Sequence, residues 1–152
     1  MLSGWPVAPG RSGYRFGTPG SSLSFSKEKG LIMLLRGIRG ATTVNEDRPE
    51  EILRATRELL QKMQKENAFT VEEVASALFT VTVDIRSAFP AAAARAIGWD
   101  KVPLLCFQEI EVPDSLPRCI RVLLHVNTVK SQQEIKHIYL KAARSLRRDL
   151  NR

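Results

Sequence analysis

A chain of 152 residues with 43% hydrophobic content can bury one real core and is too short for several large domains. The formal charge is +7, but residues 33–152 carry only +4, from 19 bases and 15 acids, a mild excess that suits a small anionic molecule as well as nucleic acid. No apolar run approaches membrane-spanning length, and Cys106 and Cys119 lack CxxC or metal-ligand spacing, so reduced thiols in a cytoplasmic protein are expected.

Residues 1–32 stand apart in composition. Half of residues 1–30 are Gly, Ser or Pro (six, six and three), with Trp5, Tyr14, Phe16 and Phe25 scattered without period. Such a stretch cannot offset its own ordering entropy, and it lacks the apolar core of a secretory signal. Residues 1–32 are therefore expected to be a disordered extension, and residues 33–152 the folded domain. Lys27-Glu28 can be encoded by AAGGAG, a purine-rich ribosome-binding stretch, with Met33 a short spacer further on. The expectation is that the natural protein starts at Met33 and that the extension is translated leader.

The folded part reads as strands alternating with helices. Met33 to about Arg39 forms a first strand, leaving through the glycine-punctuated stretch Arg36-Gly37-Ile38-Arg39-Gly40-Ala41-Thr42-Thr43. Alternation sends Arg36 and Arg39 to opposite faces, and the two glycines remove Cβ where something approaches the backbone closely. Pro49 suits the first residue of a helix, with Glu50 and Glu51 in its positive first turn. Ile52, Leu53, Thr56, Leu59, Leu60 and Met63 recur at helical steps, so one face is buried as far as Asn67. Thr70-Val71-Glu72-Glu73 is a capping-box pattern and predicts a short helix towards Ala77. Leu78–Val83 predicts a strand, Phe89–Ala96 a short helix ending at Gly98, and 102–112 and 119–128 two more strands. Ser131-Gln132-Gln133-Glu134 is a second capping box and predicts a final helix to about Arg147. The fold class is α+β with a mixed sheet and packed helices.

Several of these residues suggest chemistry. On the strand 119–128, Arg121, Leu123 and His125 share one face. On 102–112, Leu105, Phe107, Glu109 and Glu111 share another. Glu109 among apolar neighbours needs a partner if ionised, and Arg121 and Arg39 are candidates. From the spacing alone a structural ion pair between strands is the better reading than catalysis. Arginines with one carboxylate and one tyrosine, and no evident general base, fit a small dianion better than hydrolysis. Cys106 as a nucleophile is the competing reading, but no histidine lies near it in sequence. His125 and His137 read as structural, and two histidines without a carboxylate cluster predict no metal site.

In order and spacing, RGIRGATTV, Phe89-Pro90-Ala91, VPLLCFQE, CIRV and His137-Ile138-Tyr139-Leu140 resemble the monofunctional chorismate mutases of the trimeric, non-helical class, over Met33 to about Leu150. The resemblance implies a homotrimeric pseudo-α/β-barrel with sites between adjacent subunits. It implies an isomerase of aromatic amino-acid biosynthesis that turns chorismate into prephenate by a concerted Claisen rearrangement, without cofactor or metal. By position, Arg121 matches the arginine that donates to the ether oxygen, and Arg39 the one that binds the side-chain carboxylate. Glu109 matches the acid that accepts from the ring hydroxyl, with Cys106 against the same group. Tyr139 matches a carboxylate-binding tyrosine, Phe89 an apolar wall, and Arg95 and Arg147 peripheral arginines near the mouth. The chain departs from the pattern at Ala92, where a family member carries lysine, by one missing residue around Ile97-Gly98, and by a very short tail after Leu150.

Two other classes compete. An RNA-binding module would account for the basic charge, but no aromatic-studded basic strand is present, so neither a nucleic-acid nor a membrane partner is expected. A non-catalytic trimer of the same fold that binds a small carboxylate has no reason to keep Glu109, Cys106, Arg39 and Tyr139 together.

Overall fold

The computed structural model describes residues 32–150. The expectations for the N-terminal extension and for a start at Met33 lie outside these residues, apart from Ile32 and Met33 themselves.

Strand β1 (Leu34–Thr43) runs four residues beyond its predicted end, because the whole stretch after Arg39 pairs antiparallel with β4 (Cys119–Thr128). Helix α1 (Pro49–Asn67) forms as its periodicity requires and buries Ile52, Ala55, Thr56, Leu59, Leu60 and Met63. Strand β2 (Val74–Val81), the one-turn-and-a-half helix α2 (Ala91–Arg95), β3 (Leu104–Gln108) and the two-residue β5 (Ile138–Tyr139) complete the fold. The sheet order is β3-β2-β4-β1-β5, with β4 antiparallel to both neighbours and the outer pairs β2/β3 and β1/β5 parallel.

The two capping boxes are real, but each closes a single 3₁₀ turn. Thr70 N–H donates to Glu73 Oε2 at 2.7 Å, and Ser131 N–H to Glu134 Oε2 at 2.8 Å. The helix predicted towards Ala77 stops at Glu73, since Val74 onward pairs with Val126, His125 and Leu124 of β4; tertiary pairing overrides a local signal. The predicted final helix is likewise absent. After the turn at Gln132–Glu134 the chain extends into β5, then folds into 3₁₀ turns over Lys141–Leu150, broken by a non-helical Arg147. Asn67, fully paired at the buried end of α1, fixes this path: its Oδ1 accepts from Lys136 N–H and its Nδ2 donates to Lys136 O, both at 2.9 Å.

The helices cover one face of the sheet. Ile38, Phe79, Val122, Leu124 and Val126 point into this core with Leu59, Leu60, Met63 and Trp99. Gly40 is required here: a Cβ would run into Met63 Sδ, so the helix could not lie so close to β1. Gly37 has no such role, its nearest neighbour being Leu123 at an ordinary 3.5 Å. The other face carries Leu35, Arg39, Leu78, Thr80, Leu105, Phe107, Arg121, Leu123 and His125 by alternation and register. Among the described residues only one end of it is covered, where Ala41, Cys119 and Tyr139 pack under Ala143 and Leu146. Elsewhere it is open, with Leu105 57% and Leu35 56% exposed.

Candidate active site on the open sheet face

Arg121 and Glu109 form the centre. Arg121 lies on β4 opposite Thr80 of β2. Glu109 follows β3, which is shorter than the predicted 102–112 because β2 ends at Val81; the Glu109 N–H still donates to Val81 O at 2.9 Å. One Glu109 carboxylate oxygen accepts from Arg121 Nη1 and the other from Thr80 Oγ1. The guanidinium has five donors, so this ion pair occupies only part of it. Pair and neighbours line a concavity of about 340 Å³ with Ile110, Val112 and Ser115. Leu105 and Phe107, expected to shelter Glu109, are largely exposed; the carboxylate is held by polar partners instead.

Arg39 pairs with Leu123 and stands on the same face as Arg121, two residues along β1 from Ala41, Arg121's own partner. Arg36, on the other face as alternation required, donates from Nε to Lys130 O at 3.0 Å. Tyr139 is on strand β5, not on a helix, directly beside Ala41. Its hydroxyl is buried and faces the Arg147 guanidinium. Arg147 in turn is tied to Asp149, Nη2 to Oδ2 at 2.8 Å, which holds its pKa above the ordinary value.

Cys106 and Phe89 do not join this group within one chain. Cys106, three residues before Glu109, pairs with the buried Phe79 and leans on the core side of the edge strand. Phe89 is 76% exposed. The two line a second cleft, of about 260 Å³, with Ile85, Ala88, Pro90 and Phe107. Arg95 lies exposed at the C-terminal end of α2, in neither group. A larger groove along α1, between Arg54, Arg57, Lys62 and Lys65, contains none of these residues.

Three positions make contacts that sequence reasoning did not assign. Thr80 looked like one more β-branched strand residue, and only the β2/β4 register sets it against Glu109. Asn67 looked like a helix end. His137 is half-buried, and its Nδ1 accepts from Arg39 N–H at 3.0 Å. Burial, followed by the charges of Arg39 and Arg147, pushes its pKa below the ordinary histidine value. His125 is structural as expected, sharing a 2.8 Å hydrogen bond with Ser76 Oγ.

Neither thiol forms a disulfide. Burial pushes the Cys119 thiol from 9.0 up to about 11, so it stays protonated at neutral pH and should resist iodoacetamide in the folded protein by intact mass. A raised folded-state pKa gives stability that is complete below pH 9.0 and lost as pH rises through about 11. The urea midpoint of the wild type should therefore fall across that window, and more steeply than that of Cys119→Ala. Among the described residues no group of three or more His, Cys, Asp or Glu could hold a metal ion, and no helix is long and apolar enough to cross a membrane.

The mixed sheet thus has helices on one side and presents arginines, a buried tyrosine and one engaged carboxylate on the other. The comparisons with known proteins name the class. The profile of the chorismate mutase type I family matches residues 35–150, and the chain belongs to that family. It is 56% identical over 118 residues to chorismate mutase AroH of Thermus thermophilus, covering 77% of this chain and 97% of the relative. It is 46% identical over 120 residues to chorismate mutase AroH of Bacillus subtilis (strain 168), covering 78% and 94%. A solved chorismate mutase from Clostridium thermocellum superposes with a TM-score of 0.72 at 47% identity, over 72% of this chain and 98% of that one.

Proposed function

We propose that this chain converts chorismate to prephenate, with Arg121 as the residue on which the rate depends. The observation that carries the reading is the Arg121 guanidinium held by Glu109, which Thr80 fixes in turn, on the same sheet face as Arg39 and Tyr139. In the Claisen rearrangement an ether C–O bond breaks as a C–C bond forms. No proton is transferred and no covalent intermediate forms with the enzyme, so the chemistry asks for no cofactor. Two means remain: holding the enolpyruvyl arm over the ring, and stabilising the negative charge that grows on the ether oxygen.

Arg121 supplies the second, through donors not given to Glu109. Glu109 also accepts from the ring hydroxyl of the substrate. Arg39 binds the side-chain carboxylate, and Tyr139 with Arg147 a carboxylate at the covered end of the face. Phe89, Cys106 and Arg95 come from a neighbouring subunit of a homotrimer, so that the two separate groups in one chain are halves of one site. The open apolar residues Leu35, Leu105 and Phe107 support assembly through this face, since a solvent-facing stripe of this kind is characteristic of a subunit interface. The product serves phenylalanine and tyrosine biosynthesis in the cytoplasm, where the two thiols stay reduced.

The test is loss of chorismate absorbance, with prephenate as the sole product, run alongside sedimentation equilibrium. Turnover by a trimer is expected, unchanged by EDTA. A properly assembled trimer that leaves chorismate untouched would move the reading to a carboxylate-binding protein of the same fold. Full turnover by a monomer would remove the shared site.

A further inference from the structure

We propose that His137 is a positioning residue of this active site, its neutral imidazole holding Arg39 and Tyr139 in a single register. The inference rests on the substrate-binding roles given above to these two residues.

Strand β5 is only two residues long and joins β1 at Gly40↔Ile138 and Ala41↔Tyr139. A ladder this short has few bonds to hold it. At its far end Leu140 N–H donates to Ala41 O at 2.9 Å. At its near end a side chain takes over: the Arg39 N–H, next along β1, donates to His137 Nδ1 at 3.0 Å. On the preceding residue, Asn67 clamps both backbone groups of Lys136. The imidazole therefore fixes the backbone from which the Arg39 side chain springs, and it does so from the strand that carries Tyr139.

Acceptance at Nδ1 requires the tautomer with its proton on Nε2. The ring is half-buried, and the charged groups acting on it are Arg39 from β1 and Arg147 from the Lys141–Leu150 segment; its own strand adds the Tyr139 phenol. Burial and the two guanidinium charges disfavour imidazolium. Acidification would add a third positive charge, remove the acceptor and turn the Arg39 N–H towards a donor.

Steady-state kinetics on the assembled enzyme test this with His137→Ala, His137→Asn, His137→Gln and Arg39→Ala. Asparagine places Oδ1 near the position of Nδ1, whereas glutamine reaches towards that of Nε2. Arg39 binds its carboxylate in both ground and transition states, so its misplacement acts on KM more than on kcat. His137→Ala and His137→Gln are expected to raise KM about two- to tenfold, the range of one ordinary hydrogen bond, and His137→Asn to restore it. The wild-type KM should also climb as pH falls below the ordinary histidine range, and that of His137→Asn should stay level. In the Arg39→Ala background the residue 39 N–H remains, so His137→Ala should add a smaller rise in KM than in the wild type, the part that passes through Tyr139. Should His137→Ala fail to assemble, the contrast between Asn and Gln decides. A wild-type KM in both Ala and Gln variants, while Arg39→Ala raises it, would overturn the positioning role alone. An unaltered KM in Arg39→Ala would instead overturn the role of Arg39, and this inference with it.

Discussion

Arg121→Ala is expected to lower kcat by roughly 10²- to 10³-fold, the usual cost of removing one preorganised donor aimed at developing charge. The effect should fall on kcat, because the ether oxygen acquires its charge only as the bond lengthens, and a contact that strengthens then accelerates the step where uniform binding would not. The Arg121 side chain lies on the open face, away from the helix-covered core, so its loss opens no cavity beneath α1. It does leave Glu109 with Thr80 as its remaining side-chain partner. Arg121→Lys separates charge from geometry. A lysine restores the positive charge as a single point but cannot present one donor to Glu109 and a fork to the substrate together, so it should recover only a small part of the lost rate. Chorismate consumption at saturating substrate, with assembly checked by sizing, measures both variants. A kcat for Arg121→Ala within a few-fold of wild type would take the ether-oxygen role away from this residue.

The central pair was legible because strand alternation is a strict rule. Arg121 with Leu123 and His125, and Arg36 opposed to Arg39, follow from counting by two, and the register bears both out. The long periodic helix was legible for the same reason, from Pro49 to Asn67. The C-terminal third was not. Its capping box is formed, yet the residues after it are drawn into a strand by β1 and by the buried Asn67, neither of which has any local signature. A cap states where a turn starts; it carries no information on how far the helix runs once a sheet edge competes for the same backbone. Thr80 and His137 were illegible for a related reason, since each acquires its role from a partner 29 or 98 residues away. The split of Phe89 and Cys106 from Arg121 is a further case: one sequence lists the whole set of residues without saying how many copies of the chain bring them together.

Two inactive variants should restore each other. Arg121→Ala damages the half-site on the open sheet face, and Phe89→Glu the half-site at the β3 cleft. Phe89 is 76% exposed in the single chain, so glutamate there leaves the core intact while setting a carboxylate against a dianionic substrate, a like-charge contact in a partly desolvated site. Each variant alone is expected to assemble and to be nearly silent at low chorismate. Mixed in equal amounts, unfolded and refolded together, they form hybrid trimers in which some sites take the sheet-face half from the Phe89→Glu chain and the cleft half from the Arg121→Ala chain. With random assembly and one half-site from each of two neighbours, about a quarter of the sites are whole, so about a quarter of the wild-type rate should return. Mixing without unfolding should return it only as fast as the subunits exchange. A mixture that stays as silent as its components, although mass spectrometry finds hybrid trimers, would place both the Arg121 and the Phe89 contributions to a site within a single chain and remove the shared site.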